Sequence, residues 1–323
     1  MSKSKAVPFK AIFEEESCIG RGSFGIVCKV KAKIEMNGLP KGSVAAIKLI
    51  NKKKLKLEEL IALENEVNIL RTVSSLQNSC HKNIVCYYGT VLVIKDGVEY
   101  FGIVTEFISG YQLSEFIDSL AKKQIDPLSR TTFRKGYDLN LVMTNQQIAD
   151  LMKQLLATLA YIHSLGIAHR DIKTDNIMYI PEQKILKYID FGFSCYNVIK
   201  KVEHQCRVKS AGTPLFISPE MWDWASSPKR NIRDITDTEI ISESDVWSLG
   251  VVFYELLFGV APFEDIETQK ELESELESSE PIRFPISGND GHLVDTIRLM
   301  LNKDYTQRIT AQQAYNFVLS KYP

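Results

Sequence analysis

His169-Arg170-Asp171-Ile172-Lys173-Thr174-Asp175-Asn176, followed by Asp190-Phe191-Gly192, decides how the rest of the chain is read. Carboxylates, an amide and an ammonium in this order are the parts needed to move a phosphoryl group from a metal-bound nucleotide. Asp171 can accept the proton of an attacking hydroxyl. Asn176 and Asp190 can hold Mg²⁺ between them, and Lys173 can neutralise charge on the transferring group. A lone His-Arg-Asp recurs by chance; the longer stretch with Asp-Phe-Gly behind it does not.

Upstream, Gly20-Arg21-Gly22-Ser23-Phe24-Gly25-Ile26-Val27 contains a GxGxxG spacing. That pattern also marks dinucleotide-binding turns, which must lead into a helix. Here Ile26 to Val30 continues as strand alternation, so the glycines belong on a hairpin, where backbone N–H groups can approach phosphate oxygens. Ala45-Ala46-Ile47-Lys48 then places a lysine on the next strand. Glu66 is the expected carboxylate partner of Lys48, because Leu63 and Leu70 lie near it on the helical wheel. Glu64 is the fallback, and an exposed helix carboxylate is the bland reading of either.

The first hundred residues alternate as strands, with turn signals at Asn37-Gly38 and Asp96-Gly97 and one helix over about Lys56 to Thr72. Helical periodicity dominates from about Tyr111. Thr144 with Gln147 forms a capping box ahead of the stripe Ile148, Leu151, Met152, Leu155, Leu156, Leu159 and Ile162. A second apolar helix is expected over Asp245 to Leu257, and Thr310 with Gln313 caps a last one. The fold class is therefore α+β, a small antiparallel β-lobe with one helix (1–107) followed by a larger, mainly helical lobe (108–323).

The chain has 323 residues, and 39 basic against 40 acidic side chains leave a formal net charge of −1, which gives no sign of bulk nucleic-acid or membrane binding. Apolar runs such as Val251–Tyr254 are too short to span a bilayer. Met1–Lys5 is polar and basic with no apolar run behind it, which argues against a signal peptide, and Ser2 excludes myristoylation. Cytoplasm is the expected location, with the nucleus as the alternative, and a monomer is the expected state. Six cysteines without a CxxC pair fit free thiols in a reducing compartment. Cys195, His204 and Cys206 lack a nearby fourth metal ligand and read as unrelated loop residues.

Over about residues 13 to 321 the chain resembles eukaryotic-type protein kinases, from the glycine loop to Leu301-Asn302-Lys303-Asp304-Tyr305-Thr306-Gln307-Arg308. The resemblance implies the bilobal protein-kinase-like fold with ATP and Mg²⁺ as cofactors. It assigns catalysis to Asp171, Lys173, Lys48 and Glu66, and metal binding to Asn176 and Asp190. Nucleotide binding falls to Gly20, Arg21, Gly22, Ser23, Phe24, Gly25 and Lys48. Val27, Ala46 and Met178 would sandwich the adenine, Thr105 would be the gatekeeper, and the backbone of Glu106 and Ile108 would hydrogen-bond the base. Leu70, His169 and Phe191 would stack as a spine, although apolar residues at such places also serve a core. Asp245 would brace the catalytic loop, and Glu220 would pair with Arg308.

Lys173, and Thr213 in Gly212-Thr213-Pro214, resemble serine/threonine kinases, and Phe193 after Asp-Phe-Gly suggests serine over threonine. Asp175 and Glu255 match positions where basophilic kinases receive substrate arginine, while Gln112 replaces a third acid. The acidic run Glu264 to Glu280 points the same way, against the plain reading of a solvated helix face. Arg170 resembles kinases ordered by activation-segment phosphorylation, with Ser210 the nearest hydroxyl because Lys209 occupies the usual site. Residues 124–143, with Arg130, Arg134 and Lys135, and residues 225–241, with Pro228, exceed the family pattern and read as surface loops or partner-docking inserts. The expected partners are protein substrates. Two other readings compete: an ATP-binding pseudokinase scaffold, which needs a missing catalytic element, and a small-molecule kinase of related fold.

Overall fold

The computed structural model describes residues 6–22, 25–76, 79–124, 143–196, 214–226, 238–285 and 290–323. Its contacts divide the chain into two compact units, Met1–Ser109 and Gly110–Pro323.

The first unit is built on strands β1 (Phe13–Gly22), β2 (Gly25–Ala32) and β3 (Val44–Asn51), helix α1 (Leu57–Ser74), and strands β4 (Tyr87–Lys95) and β5 (Val98–Glu106). The sheet order is β4-β5-β3-β2-β1, antiparallel throughout, with the two-residue strand Val7–Pro8 added parallel to β4. The turns form where the sequence marks them. Asn37 and Gly38 both take positive φ, as do Asp96 and Gly97, the geometry that matches the twist of a hairpin. One sheet face carries Cys28, Val30, Ala45, Ile47, Leu49 and Val104 into a core with Phe9, Phe13 and Leu39. Successive strand residues alternate faces, so Val27, Ala46 and Lys48 lie on the other side.

The second unit contains α2 (Leu113–Gln124), α3 (Asn145–Ser164), the β6–β7 hairpin (Ile177–Ile180, Ile185–Tyr188), α4 (Pro219–Ser226), α5 (Thr238–Phe258), α6 (Gln269–Glu277), α7 (Gly291–Met300) and α8 (Ala311–Lys321). The capping boxes at Thr144 and Thr310 form as expected, and every residue of the expected α3 stripe is buried. Around α5, Val246, Trp247, Leu249, Val251, Val252, Phe253, Leu256, Leu257 and Phe258 are all buried, which makes it a central helix rather than an amphipathic surface one. No helix among the described residues is long and apolar enough to cross a membrane.

Two expectations need correction. Helix α5 begins at Thr238 rather than Asp245, so residues 238–241 of the expected insert are helical. None of the described thiols is free: Cys18 pairs with Cys28, Cys80 with Cys86, and Cys195 is also held in a disulfide. Cys18 and Cys28 are direct partners across β1 and β2, a relationship that depends on strand register rather than on any sequence spacing.

Candidate active site

In the first unit the register gathers several of the expected nucleotide residues. Val27 stands opposite both Gly20 on β1 and Lys48 on β3, and Ala46 stands opposite Thr105 on β5. Directly opposed residues share a face, so Gly20, Val27, Ala46, Lys48 and Thr105 form one continuous patch on the side away from the core. A β-bulge between Cys18 and Gly20 sets this parity, leaving Cys18 in register with core-facing Cys28.

The two described ends of the glycine loop differ. A side chain at Gly25 would run into the backbone carbonyl of Leu49, so packing alone requires glycine there. At Gly20 the nearest atom to an added Cβ is Val27 Cβ at 4.0 Å, ordinary contact, so packing makes no such demand. Ser23 and Phe24 lie outside the described residues, and Arg21 and Gly22 are described as strand backbone.

Lys48 Nζ donates to Glu66 Oε1 at 2.7 Å, and Glu66 is buried on α1 while Glu64 is exposed. At the end of β5, Glu106 donates its backbone N–H to the Cys86 carbonyl and accepts the Cys86 N–H on its carboxylate, both at 2.9 Å. These bonds fix the segment that continues to Ile108.

In the second unit the catalytic-loop residues converge. Asn176 donates to the Asp171 carbonyl at 2.8 Å and to Asp171 Oδ2 at 2.7 Å. Lys173 Nζ lies 3.2 Å from the same Oδ2. Asp171 Oδ1 has no protein partner among the described residues. Ile189 donates its N–H to the Asn176 carbonyl at 3.1 Å, tying Asp190 to the loop, and Asp190 Oδ1 accepts the Gly192 N–H at 2.9 Å. Met178 sits on β6 opposite Gln112.

Asp245 anchors this arrangement from the centre of α5. It accepts the backbone N–H groups of His169 and Arg170, each at 2.7 Å, and lies 3.0 Å from His163 Nε2. Burial pushes the Asp245 carboxyl up, but the His163 contact, the His169 ring and the Arg170 N–H outweigh it and hold it below the ordinary range. Arg170 adopts φ +68°, uncommon for a residue with a side chain. Fully buried His169 packs on Phe191 with ring centroids 4.8 Å apart. Burial lowers its pKa despite Asp245, Asp171 and Asp190 nearby. Leu70 is buried in the first unit.

Arg308 donates to both carboxylate oxygens of Glu220, at 2.6 and 2.9 Å, to the Asn302 and Glu243 carbonyls, and stacks over Trp247. Ser218 is buried and bonds to the Ser244 hydroxyl at 3.0 Å, so its oxygen is satisfied.

Sequence reading did not foresee how Glu255 is held. Thr174 Oγ1 donates to Glu255 Oε2 at 3.0 Å. Burial, offset in part by that bond and reinforced by Asp175, Glu264 and Asp118, raises the Glu255 pKa to about 7. Asp175 is fixed from the start of α2 and the residue before it: Ser114 donates to its Oδ1 at 2.9 Å, and Gln112, the replaced acid, donates to its backbone carbonyl at 3.0 Å. Thr213, Ser210, Lys209, His204, Cys206, Arg130, Arg134, Lys135 and Pro228 lie outside the described residues.

A family model described as "Protein kinase domain" matches residues 13–319. CDPK-related kinase 7 of Arabidopsis thaliana is 30% identical over 314 residues, covering 95% of this chain and 45% of that protein. CDPK-related kinase 1 of the same plant is 29% identical over 313 residues, again 95% and 45%. Calcium/calmodulin-dependent protein kinase type 1B of Rattus norvegicus is 28% identical over 319 residues, 97% of this chain and 76% of that protein. The chain spans about half the length of the plant relatives. From the glycine hairpin to the Glu220–Arg308 pair, the chain belongs to the protein kinase domain family.

Proposed function

We propose that the chain is a protein-serine/threonine kinase that transfers the γ-phosphoryl group of ATP to protein hydroxyls, with serine preferred. The observation that carries this reading is the state of Asp171. Lys173 and Asn176 both engage Oδ2, which fixes the carboxylate and leaves Oδ1 to accept the proton of an incoming hydroxyl. Lys48, oriented by Glu66, offsets phosphate charge, and Lys173 does so at the transferring group.

Asn176 uses its amide N–H groups on Asp171, so its carbonyl oxygen remains to pair with the Asp190 carboxylate as a hard-oxygen donor set suited to Mg²⁺. Bound there, the metal would neutralise nucleotide phosphate charge. At Gly20 packing does not demand glycine, which fits close approach of a phosphate-bearing ligand to the backbone.

Serine preference rests on Phe193, and a preference for basic substrates on Glu255 and Asp175. A carboxyl with a pKa near 7, beside three other acids, is a site that a substrate guanidinium would relieve. The rat relative is named a protein kinase, which agrees with a protein substrate. Cytoplasm and a monomeric state remain part of the proposal.

The test is transfer from labelled ATP with magnesium to a peptide library, with Asp190→Asn as control. Transfer mainly to serine peptides bearing arginine is expected. Transfer mainly to threonine would overturn the serine preference. Nucleotide binding without transfer to any protein would favour the scaffold reading instead.

A further inference from the structure

The ten-residue separation between Cys18 and Cys28 encloses the whole glycine hairpin: the disulfide closes a ring that contains Gly20, the turn and Val27. Beyond this rung the ladder continues only through Gly20–Val27, Arg21–Ile26 and Gly22–Gly25. A bulge after Cys18 interrupts the regular pairing between the covalent rung and the glycines. A covalent cross-link at the base of so short a hairpin removes conformations in which the two strands twist or separate.

From this placement we propose that Cys18 and Cys28 form a reversible oxidation site that sets how strongly the strands beside the glycines hold nucleotide. It rests on the kinase reading above, since it regulates that same loop. With both thiols reduced the paired strands at Gly20 and Val27 can shift to suit the phosphates; with the disulfide formed these strands are held and nucleotide binds more weakly.

The exposures of the two cysteines assign the order of the chemistry. Cys18 is exposed and Cys28 is buried in the sheet core, so Cys18 reacts first with an outside partner and Cys28 resolves the product. With glutathione disulfide as oxidant, the Cys18 thiolate attacks one sulfur, and the departing glutathione thiolate takes up the proton that Cys18 lost. The Cys28 thiol then loses its proton as it attacks the Cys18 sulfur of the mixed disulfide, and the second glutathione leaves as a thiol. Two protein thiols are oxidised and one glutathione disulfide is reduced to two glutathiones. A dithiol reductant reverses both steps.

The experiment uses the full chain, one portion reduced with dithiothreitol and one oxidised with glutathione disulfide. Alkylation and peptide mass mapping would locate the cross-link, and calorimetric titration with ATP and magnesium would measure affinity in each state. We expect an 18–28 cross-link in the oxidised sample and ATP binding about threefold or more weaker. Dithiothreitol should restore the affinity, Cys18→Ser should abolish the difference, and Cys80→Ser should keep it. A missing 18–28 cross-link, equal affinity in the two states, or a difference that survives Cys18→Ser overturns the switch. ATP binding in neither state would instead overturn the kinase reading, and the switch with it.

Discussion

Asn176 holds Asp171 by two hydrogen bonds from a single side-chain amide, one to the carboxylate and one to the backbone carbonyl. The contact orients the carboxylate that is proposed to take the hydroxyl proton, and it aims the Asn176 oxygen away from Asp171. One residue thus links positioning of the base to the proposed metal site.

Asp171→Ala should lower the rate of phosphoryl transfer by about 10² to 10⁴, the range for losing a general base. ATP affinity should stay close to wild type, since Asp171 is not proposed to hold the nucleotide. Single-turnover transfer alongside calorimetric ATP titration checks both halves.

Lys48→Met removes the ammonium that bonds Glu66 and should reduce transfer by about 10²-fold, comparable to the loss of one electrostatic donor in other active sites. Glu66→Gln keeps a polar partner for Lys48 and should cost less. Steady-state kinetics over a range of ATP concentrations would rank the two, and a larger loss in Glu66→Gln would contradict the assigned roles.

Glu220→Ala leaves the Arg308 guanidinium buried with its strongest partner gone. The expected loss is about 3 to 5 kcal/mol of unfolding free energy. Chemical denaturation measures it, and a change under about 1 kcal/mol would show that the Asn302 and Glu243 carbonyls suffice.

Glu255 gives a pH signature with a definite sign. Its folded pKa of about 7 is above glutamate's ordinary value of 4.5, so the folded chain binds more protons than the unfolded chain between those values. The contribution is therefore fully present below about pH 4.5 and disappears as pH rises through about 7, a change on the order of 3 kcal/mol. Glu255→Gln should flatten this part of the stability profile, read by denaturant unfolding at several pH values. For arginine-bearing peptides the same protonation should raise KM as pH falls below about 7, a trend absent in the variant.

Much of the molecule could be read from local pattern. The catalytic loop, the Lys48–Glu66 pair and the caps at Thr144 and Thr310 each depend on residues whose spacing encodes their geometry. The Cys18–Cys28 pair does not, because a bulge resets the register and only the assembled strands show which residues oppose. The raised pKa of Glu255 was equally hidden, since Asp118, Asp175 and Glu264 come from separate stretches. The first turns of helix α5 escape sequence pattern because Glu239, Ser242, Glu243 and Ser244 place them among polar residues.

The positive φ of Arg170 limits how the catalytic loop could be transplanted. Backbone in that region costs on the order of 1 to 3 kcal/mol for a residue bearing a side chain. Here the Arg170 N–H is held by Asp245, which α5 delivers from a distant part of the chain. A peptide copied from residues 166–178, or the same loop grafted onto a scaffold without a buried acid beneath it, would relax at Arg170 and swing Asp171 away from Asn176. Any engineered phosphotransfer loop built from this sequence must carry its foundation with it.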